Sequence, residues 1–437
     1  MKATAILGPP GTGKTTTLQR VIADLPKGRM AVVSFTRAAA GVLTSRLPHP
    51  HPKYVGTLHA LAYKILGLVK QQVVDEQKFA SWYGTDLEEV RLCLQLHSLT
   101  LHGHSLVKAY RIINPVIPFL RVEHLIGSYL NWKSTYGYID FNDMITLAMG
   151  KAASSFDVII CDEAQDMSDL QWQLVLDLLA KDGTLIMAGD DDQAIFTWSG
   201  ANPHGMRELA HDFEVLSQSH RLPRIIHGIA EATVSQIKDR IPKEYLPKPM
   251  DGQHCINSFF EPMLFNGNYT VLCRDKWVLA EVEDALIERG VPYVCTSNNG
   301  KQLFSRGRAR LIRAILEEDR KKIERYARYL KPQYRETDVI DKPWQQVVDL
   351  GTYEQEAQYL SIVDHSSDPQ VTLSTIHGFK GEEDDHVVVM CQCSGITESA
   401  ADAIITFENE VRVWYVALTR AKQQLTTIGW NSYVRFN

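Results

Sequence analysis

The sequence predicts an α/β protein of at least two domains. Three observations carry this. The chain is 437 residues long, too long for one ordinary hydrophobic core. Its start, "KATAILGPPGTGKTTTLQRVIADL", reads as an apolar strand, a glycine-rich turn and an amphipathic helix. A second apolar run, "FDVIICDEAQDM", ends in two adjoining carboxylates.

The turn fits G-x-x-x-x-G-K-[ST] as Gly8, Gly13, Lys14 and Thr15, with Gly11 and Thr12 inside it. Glycines let backbone N–H groups converge on phosphate oxygens, and the helix that follows adds its partial positive charge. Lys14 would reach the β- and γ-phosphates of a nucleoside triphosphate, and the Thr15 hydroxyl would ligate Mg²⁺. Asp162, at the end of the second run, stands where a Walker B aspartate holds the same ion, and Glu163 could deprotonate attacking water. ATP and Mg²⁺ are therefore the expected cofactors.

Composition bounds the rest. Apolar and charged fractions of 45% and 22% are those of an ordinary globular protein, and no apolar run approaches the ~20 residues that cross a bilayer. The run Ala3–Leu7 is too short for a signal-peptide core. The seven cysteines lack zinc spacing, Cys391 and Cys393 being the only close pair, and read as reduced and structural. A cytoplasmic protein is expected, in the host cytoplasm if virus-encoded, with no membrane partner. The net charge of −6 argues against a passive DNA-coating protein, yet Lys301–Lys331 holds eleven Lys/Arg against four Asp/Glu. That block fits either a solvated helix face or a phosphate-contacting surface.

Further segments follow in an order that resembles the UvrD/Rep-like family of superfamily 1 DNA helicases, from Gly8 to Ala421. They are "VSFTRAAA", "GTLHALAYKIL", "DFNDMI", "GDDDQAIFTWSGA", "LSQSHRLPRII", "VTLSTIHGFKGEEDDHVVV" and "VWYVALTRAK". The resemblance implies two RecA-like P-loop NTPase domains, parallel sheets flanked by helices, each with an inserted, mainly helical subdomain. On that scheme residues 1–66 and 139–205 form the first domain and 67–138 its helical insertion. Residues 206–300 and 368–437 form the second domain, and 301–367 a short, basic second insertion.

The resemblance also implies roles. Arg221 and Arg420 match the two arginines that the second domain aims at the γ-phosphate, and Gln193 the γ-phosphate sensor. Glu383 falls where the family carries a glutamate facing the nucleotide sugar, with Gly381 beside it. Phe35, Phe196 and Trp198 would stack on bases, which is sequence-tolerant because every base has a π-face. Thr36, Arg37, Thr57, His59, Thr375 and His377 would hold phosphates and sugars. Phe35 also fits a core position at a strand end, and both histidines fit interior positions. Asp191 and Asp192 have no family role, and capping or turn hydrogen bonds are their expected work.

Three departures from the family pattern stand out. Only seven residues precede Gly8, so the family's adenine-contacting helix is not expected. Thr16 and His220 occupy the places of the arginine and tyrosine that sandwich adenine, which implies loose base discrimination. The "KGEEDD" run is acidic where the family is apolar, which questions packing there. The implied activity is an ATP-dependent helicase or translocase moving 3′ to 5′ on single-stranded DNA. Strand junctions and replication or repair proteins would be its partners. A protein-displacing translocase, a non-catalytic nucleotide-regulated DNA-binding subunit and an RNA track remain alternatives.

Overall fold

The computed structural model describes residues 1–25, 28–35, 40–41, 44, 52–101, 105–113, 117–262, 265, 267–297, 300–392 and 404–429. Thr36, Arg37 and Cys393 lie outside the described residues. The chain divides into two compact units. The first comprises Met1–Leu222, Val234–Lys248 and Ser399–Tyr415; the second comprises Pro223–Thr233, Pro249–Glu398 and Val416–Asn437.

The first unit is built on a six-stranded sheet. Its strands are β1 (Lys2–Leu7), β2 (Met30–Ser34), β3 (Tyr54–Thr57), β4 (Phe156–Asp162), β5 (Leu179–Gly189) and β6 (Asp212–Val215), in the order β3-β2-β4-β5-β1-β6. Every pairing is parallel. The central strands read as unbroken apolar runs because both faces are covered. β2, for example, is buried at all five positions. β6 extends this sheet past residue 205, the expected end of the domain, because Asp212–Val215 pairs in register with Thr4–Leu7.

The helical insertion has a core of its own. Val90, Cys93, Leu96 and Leu99 on the helix Leu87–Leu101 meet Val122, Leu125, Tyr129 and Trp132 on the helix Phe119–Tyr136. Spacings of three and four residues put each set on one helical face.

The second unit carries another six-stranded, all-parallel sheet. Its strands are β7 (Gln253–Asn257), β8 (Tyr269–Cys273), β9 (Tyr293–Cys295), β10 (Val371–Thr375), β11 (Asp384–Met390) and β12 (Ala421–Ile428), ordered β7-β12-β11-β8-β10-β9. The 301–367 block behaves unlike the first insertion. Its Leu311, Ile312, Ile315, Trp344, Tyr359 and Leu360 belong to one cluster with Val271, Leu373 and Val388 of the sheet. Among the described residues no helix is long and apolar enough to cross a membrane.

Candidate functional site

Parallel strands bring their carboxyl ends to one edge, where loops have room to converge. In the first unit the register sets Leu7 beside Gly189, Asp162 beside Ala188 and Ser34 beside Asp162. The phosphate loop, the Asp162–Glu163 pair and the Asp190–Gln193 turn therefore leave the sheet side by side.

The loop depends on its glycines. Gly11 and Gly13 have φ of 74° and 82°, a region that side chains strain to enter. A Cβ on Gly8 would lie 1.9 Å from Lys14 Cγ. Thr12 Oγ1 donates to Pro9 O (2.8 Å) and Lys14 Nζ to Gly8 O (2.8 Å), closing the loop on itself. The helix Lys14–Asp24 starts without a side-chain cap, so its first N–H groups suit an anion. Thr16 at its start is exposed.

Asp162 is 4% exposed. Burial, then the neighbouring Glu163, push its carboxyl up to about 7, with Lys14 opposing. A carboxylate so costly to ionise is one that a divalent cation stabilises, and with the Thr15 hydroxyl it offers the hard oxygen donors Mg²⁺ takes. The residues present fit the ion. Glu163 has φ 53°, a left-handed backbone that costs about 1–3 kcal/mol outside glycine and persists where surroundings enforce it.

Gln165, which the sequence reading passed over, links the two acidic loops. Its Nε2 donates to Glu163 Oε2 (2.6 Å), and its Oε1 accepts from the Asp190 N–H (3.0 Å). Asp190 is fully buried and its Oδ2 accepts from Gln193 Nε2 at 2.6 Å. Burial pushes the Asp190 carboxyl up, but Lys243 and Lys14 outweigh it, so the group sits below the usual range. Asp191 and Asp192 do not serve capping or turn hydrogen bonds as expected; their carboxylates meet Arg240 and Lys243.

Arg221 and His220 lie in the phosphate loop's own unit, not in the second as the resemblance implies. Ser219 Oγ donates to Pro10 O (2.7 Å) and the His220 N–H to Gly11 O (2.8 Å). The exposed His220 and Arg221 are thereby fixed against the loop. Arg420, in the second unit, is 2% exposed. Its Nε donates to Val416 O (2.9 Å) and its Nη1 to Glu382 O (3.4 Å). In that unit Gly381 has φ 95° and Glu383 is exposed. In the acidic run Asp384 is accommodated by Thr270, whose Oγ1 donates to its Oδ2 at 2.6 Å, and Glu382 is exposed.

A ring surface adjoins the acidic turn. Phe35 stacks on Phe196 with centroids 5.3 Å apart, and Trp198 meets Phe196 edge-on at 6.3 Å. Phe35 is half-buried, so the core alternative does not describe it. Phe35 and His59 line one small pocket with Ser34, whose buried Oγ lacks a hydrogen-bond partner among the described residues. Burial lowers His59 to about 4, so near neutral pH it offers an uncharged ring. Thr57 Oγ1 accepts from the Ala60 N–H (3.2 Å), capping the helix Leu58–Leu66. In the second unit Thr375 Oγ1 accepts from the Gly378 N–H (3.1 Å), and His377 follows in the same turn, half-buried.

Much of the chain is similar to known proteins. Residues 1–108 and 120–214 match the UvrD/REP helicase N-terminal domain, and residues 317–432 the UvrD-like helicase C-terminal domain. DNA helicase II of Haemophilus influenzae is 24% identical over 324 residues, covering 64% of this chain and 44% of that protein. DNA helicase II of Escherichia coli is 25% identical over 349 residues, covering 66% and 48%. ATP-dependent DNA helicase PcrA of Leuconostoc citreum is 25% identical over 284 residues, covering 55% and 38%. The chain thus spans about half the length, or less, of these relatives. The Arterivirus nonstructural protein 10 helicase with DNA has a TM-score of 0.40 at 10% identity, covering 99% of this chain and 62% of that one. Two family matches in chain order, the first over the first sheet and the second over the strands β10, β11 and β12 of the second, make this chain a member of the UvrD-like helicase family.

Proposed function

We propose that the chain is an ATP-driven motor that moves 3′ to 5′ along single-stranded DNA and separates strands at junctions. The observation that carries this reading is the carboxyl edge of the first sheet. There a phosphate loop, a Walker B pair and a γ-phosphate sensor run directly into the Phe35–Phe196–Trp198 ring surface. Fuel chemistry and a stacking track sharing one turn is what coupling requires.

In this reading the loop N–H groups and Lys14 hold the triphosphate, which Gly8, Gly11, Thr12 and Gly13 let approach. Thr15 and Asp162 would hold Mg²⁺, which when bound neutralises charge developing on the phosphates. Glu163 takes the proton of attacking water, and Gln193 orients that water against the γ-phosphate. Arg221 acts from the loop's own unit, and Arg420 is the second candidate finger. Thr16 and His220 take the places of the arginine and tyrosine that would sandwich adenine, which implies that GTP and CTP also serve, and Glu383, with Gly381 beside it, is the candidate for the nucleotide sugar. Phe35, Phe196 and Trp198 stack on bases, while Thr57, His59, Thr375 and His377, with Thr36 and Arg37, hold the backbone. Replication or repair proteins are the expected partners.

ATP turnover with and without single-stranded DNA or RNA, followed by unwinding of 3′- and 5′-tailed duplexes, tests the proposal. The expected result is stimulation by DNA and release of the 3′-tailed strand alone. Lys14→Ala is expected to abolish turnover while retaining DNA binding. Native-rate hydrolysis by that variant would sink the assignment, and DNA-stimulated turnover without strand release would convert the motor to a protein-displacing translocase.

A further inference from the structure

The carboxylate oxygens of Asp190, Asp191 and Asp192 lie within 4.8 Å of one another, a spacing that suits a divalent cation. The cation that meets them belongs to the chain. Lys243, whose side chain is 1% exposed, places Nζ 3.2 Å from Asp190 Oδ1 and 2.8 Å from Asp192 Oδ2, and it also donates to Asp191. An ammonium has three protons to donate; here it donates to Asp191 and to Ile241 O (3.3 Å), with the Asp190 and Asp192 carboxylates in ion-pair range. Arg240 grips Asp192 through Nε (2.9 Å to Oδ1) and Nη2 (2.5 Å to Oδ2). The Ile241 N–H donates to Asp191 Oδ2 (2.8 Å), and Arg412 ties Asp191 O and Asp239 O at 3.1 Å each. All of these residues belong to the first unit.

A buried ionic cluster is a poor way to stabilise a fold. Desolvation costs several kcal/mol per ion, and apolar replacements of similar volume are often neutral or better. The arrangement does accomplish something else. With Asp190 Oδ1 facing Lys243, its Oδ2 is turned to Gln193, and its backbone N–H meets Gln165, which holds Glu163. One unbroken polar path runs from Lys243 to both groups that would handle the attacking water.

We propose that Lys243, braced by Arg240, is a positioning residue for nucleotide hydrolysis: a built-in counter-ion, in place of a metal, that fixes Asp190 and through it Gln193 and Glu163. This rests on the ATPase reading above. Because Lys243 acts through Asp190, it should set the rate of the chemical step and leave nucleotide affinity nearly alone.

The test is a double-substitution cycle in the full chain, with ATP and saturating oligo-dT. Lys243→Met is expected to lower kcat at least about tenfold while KM for ATP moves less than about threefold. Added to Gln193→Ala, it should cost no more than about a further twofold, because the two act on one unit. Losses that multiply, a folded Lys243→Met with native kcat, or a rise in KM matching the loss of kcat would each overturn the inference. If circular dichroism shows Lys243→Met unfolded, Arg240→Gln goes through the same cycle under the same criteria. A native chain without ATP turnover would sink the ATPase reading and this inference together, whereas native turnover with an indifferent Lys243 sinks the inference alone.

Discussion

Trp198 leaves 42% of its surface open at the end of a ring series that begins on Phe35. An indole this exposed is the kind of ring on which a base stacks, and each such contact contributes about 1–3 kcal/mol. Trp198→Ala is therefore expected to weaken single-stranded DNA binding about 5- to 150-fold, equally for oligo-dT and oligo-dA. ATP hydrolysis without DNA should be unchanged. Fluorescence anisotropy at fixed salt reads the first quantity, and a loss under about twofold would remove the residue from the track. Trp198 is legible in the sequence because it stands inside a recognisable segment, "GDDDQAIFTWSGA". Lys243 is not. Its acidic partners stand about fifty positions upstream, and "DRIPKEYLPKP" alone reads as an exposed charged loop. Only the fold reveals that its ammonium is enclosed.

At the scale of elements, the phosphate loop separates two uses of glycine. Gly13 has φ 82° and a Cβ there would meet nothing nearer than Thr16 Cβ at 4.0 Å. Gly13→Ala thus carries only the left-handed backbone cost, about 1–2 kcal/mol. Gly11 has φ 74°, and a Cβ there would lie 2.3 Å from Arg221 Cβ and 3.0 Å from the Arg221 nitrogen. Neither neighbour is a flexible chain end, so overpacking adds about 1–3 kcal/mol and the Ser219–Arg221 turn must shift. Urea denaturation is expected to rank Gly11→Ala below Gly13→Ala. Gly11→Ala should also lose Arg221-dependent turnover; equal stabilities would deny the close approach. The same scale explains which elements could be read beforehand. β2 and β4 announce themselves as apolar runs because the sheet buries both faces. β6 and β7 sit at the ends of their sheets, β6 exposed at all four positions and β7 exposed or half-buried throughout. An edge strand needs no apolar run, which is why the first sheet continues past the expected boundary unheralded.

For the whole molecule the question is charge, because on the proposed function a chain of net −6 has to hold a polyanion. The Lys301–Lys331 block offered an excess of positive charge, yet the fold spends much of it internally. Arg306 and Arg308 face the buried Glu356, Arg313 meets Glu317 and Asp368, Arg320 meets Asp338, and Lys322 meets Glu317 and Asp319. A paired side chain must give up its carboxylate before it can neutralise a phosphate, and exposed pairs of this kind contribute only about 0–1 kcal/mol to stability. Removing them is therefore a mild perturbation that isolates their role in binding. The triple variant Arg313→Ala, Arg320→Ala, Lys322→Ala is expected to fold normally and to bind single-stranded DNA with the native salt dependence. If these side chains do contact phosphates, each lost contact will shallow the slope of log K against log salt by about 0.7. Titrations across a tenfold range of salt would then differ by about two in slope for the triple variant, and that outcome would restore the block as a nucleic-acid surface.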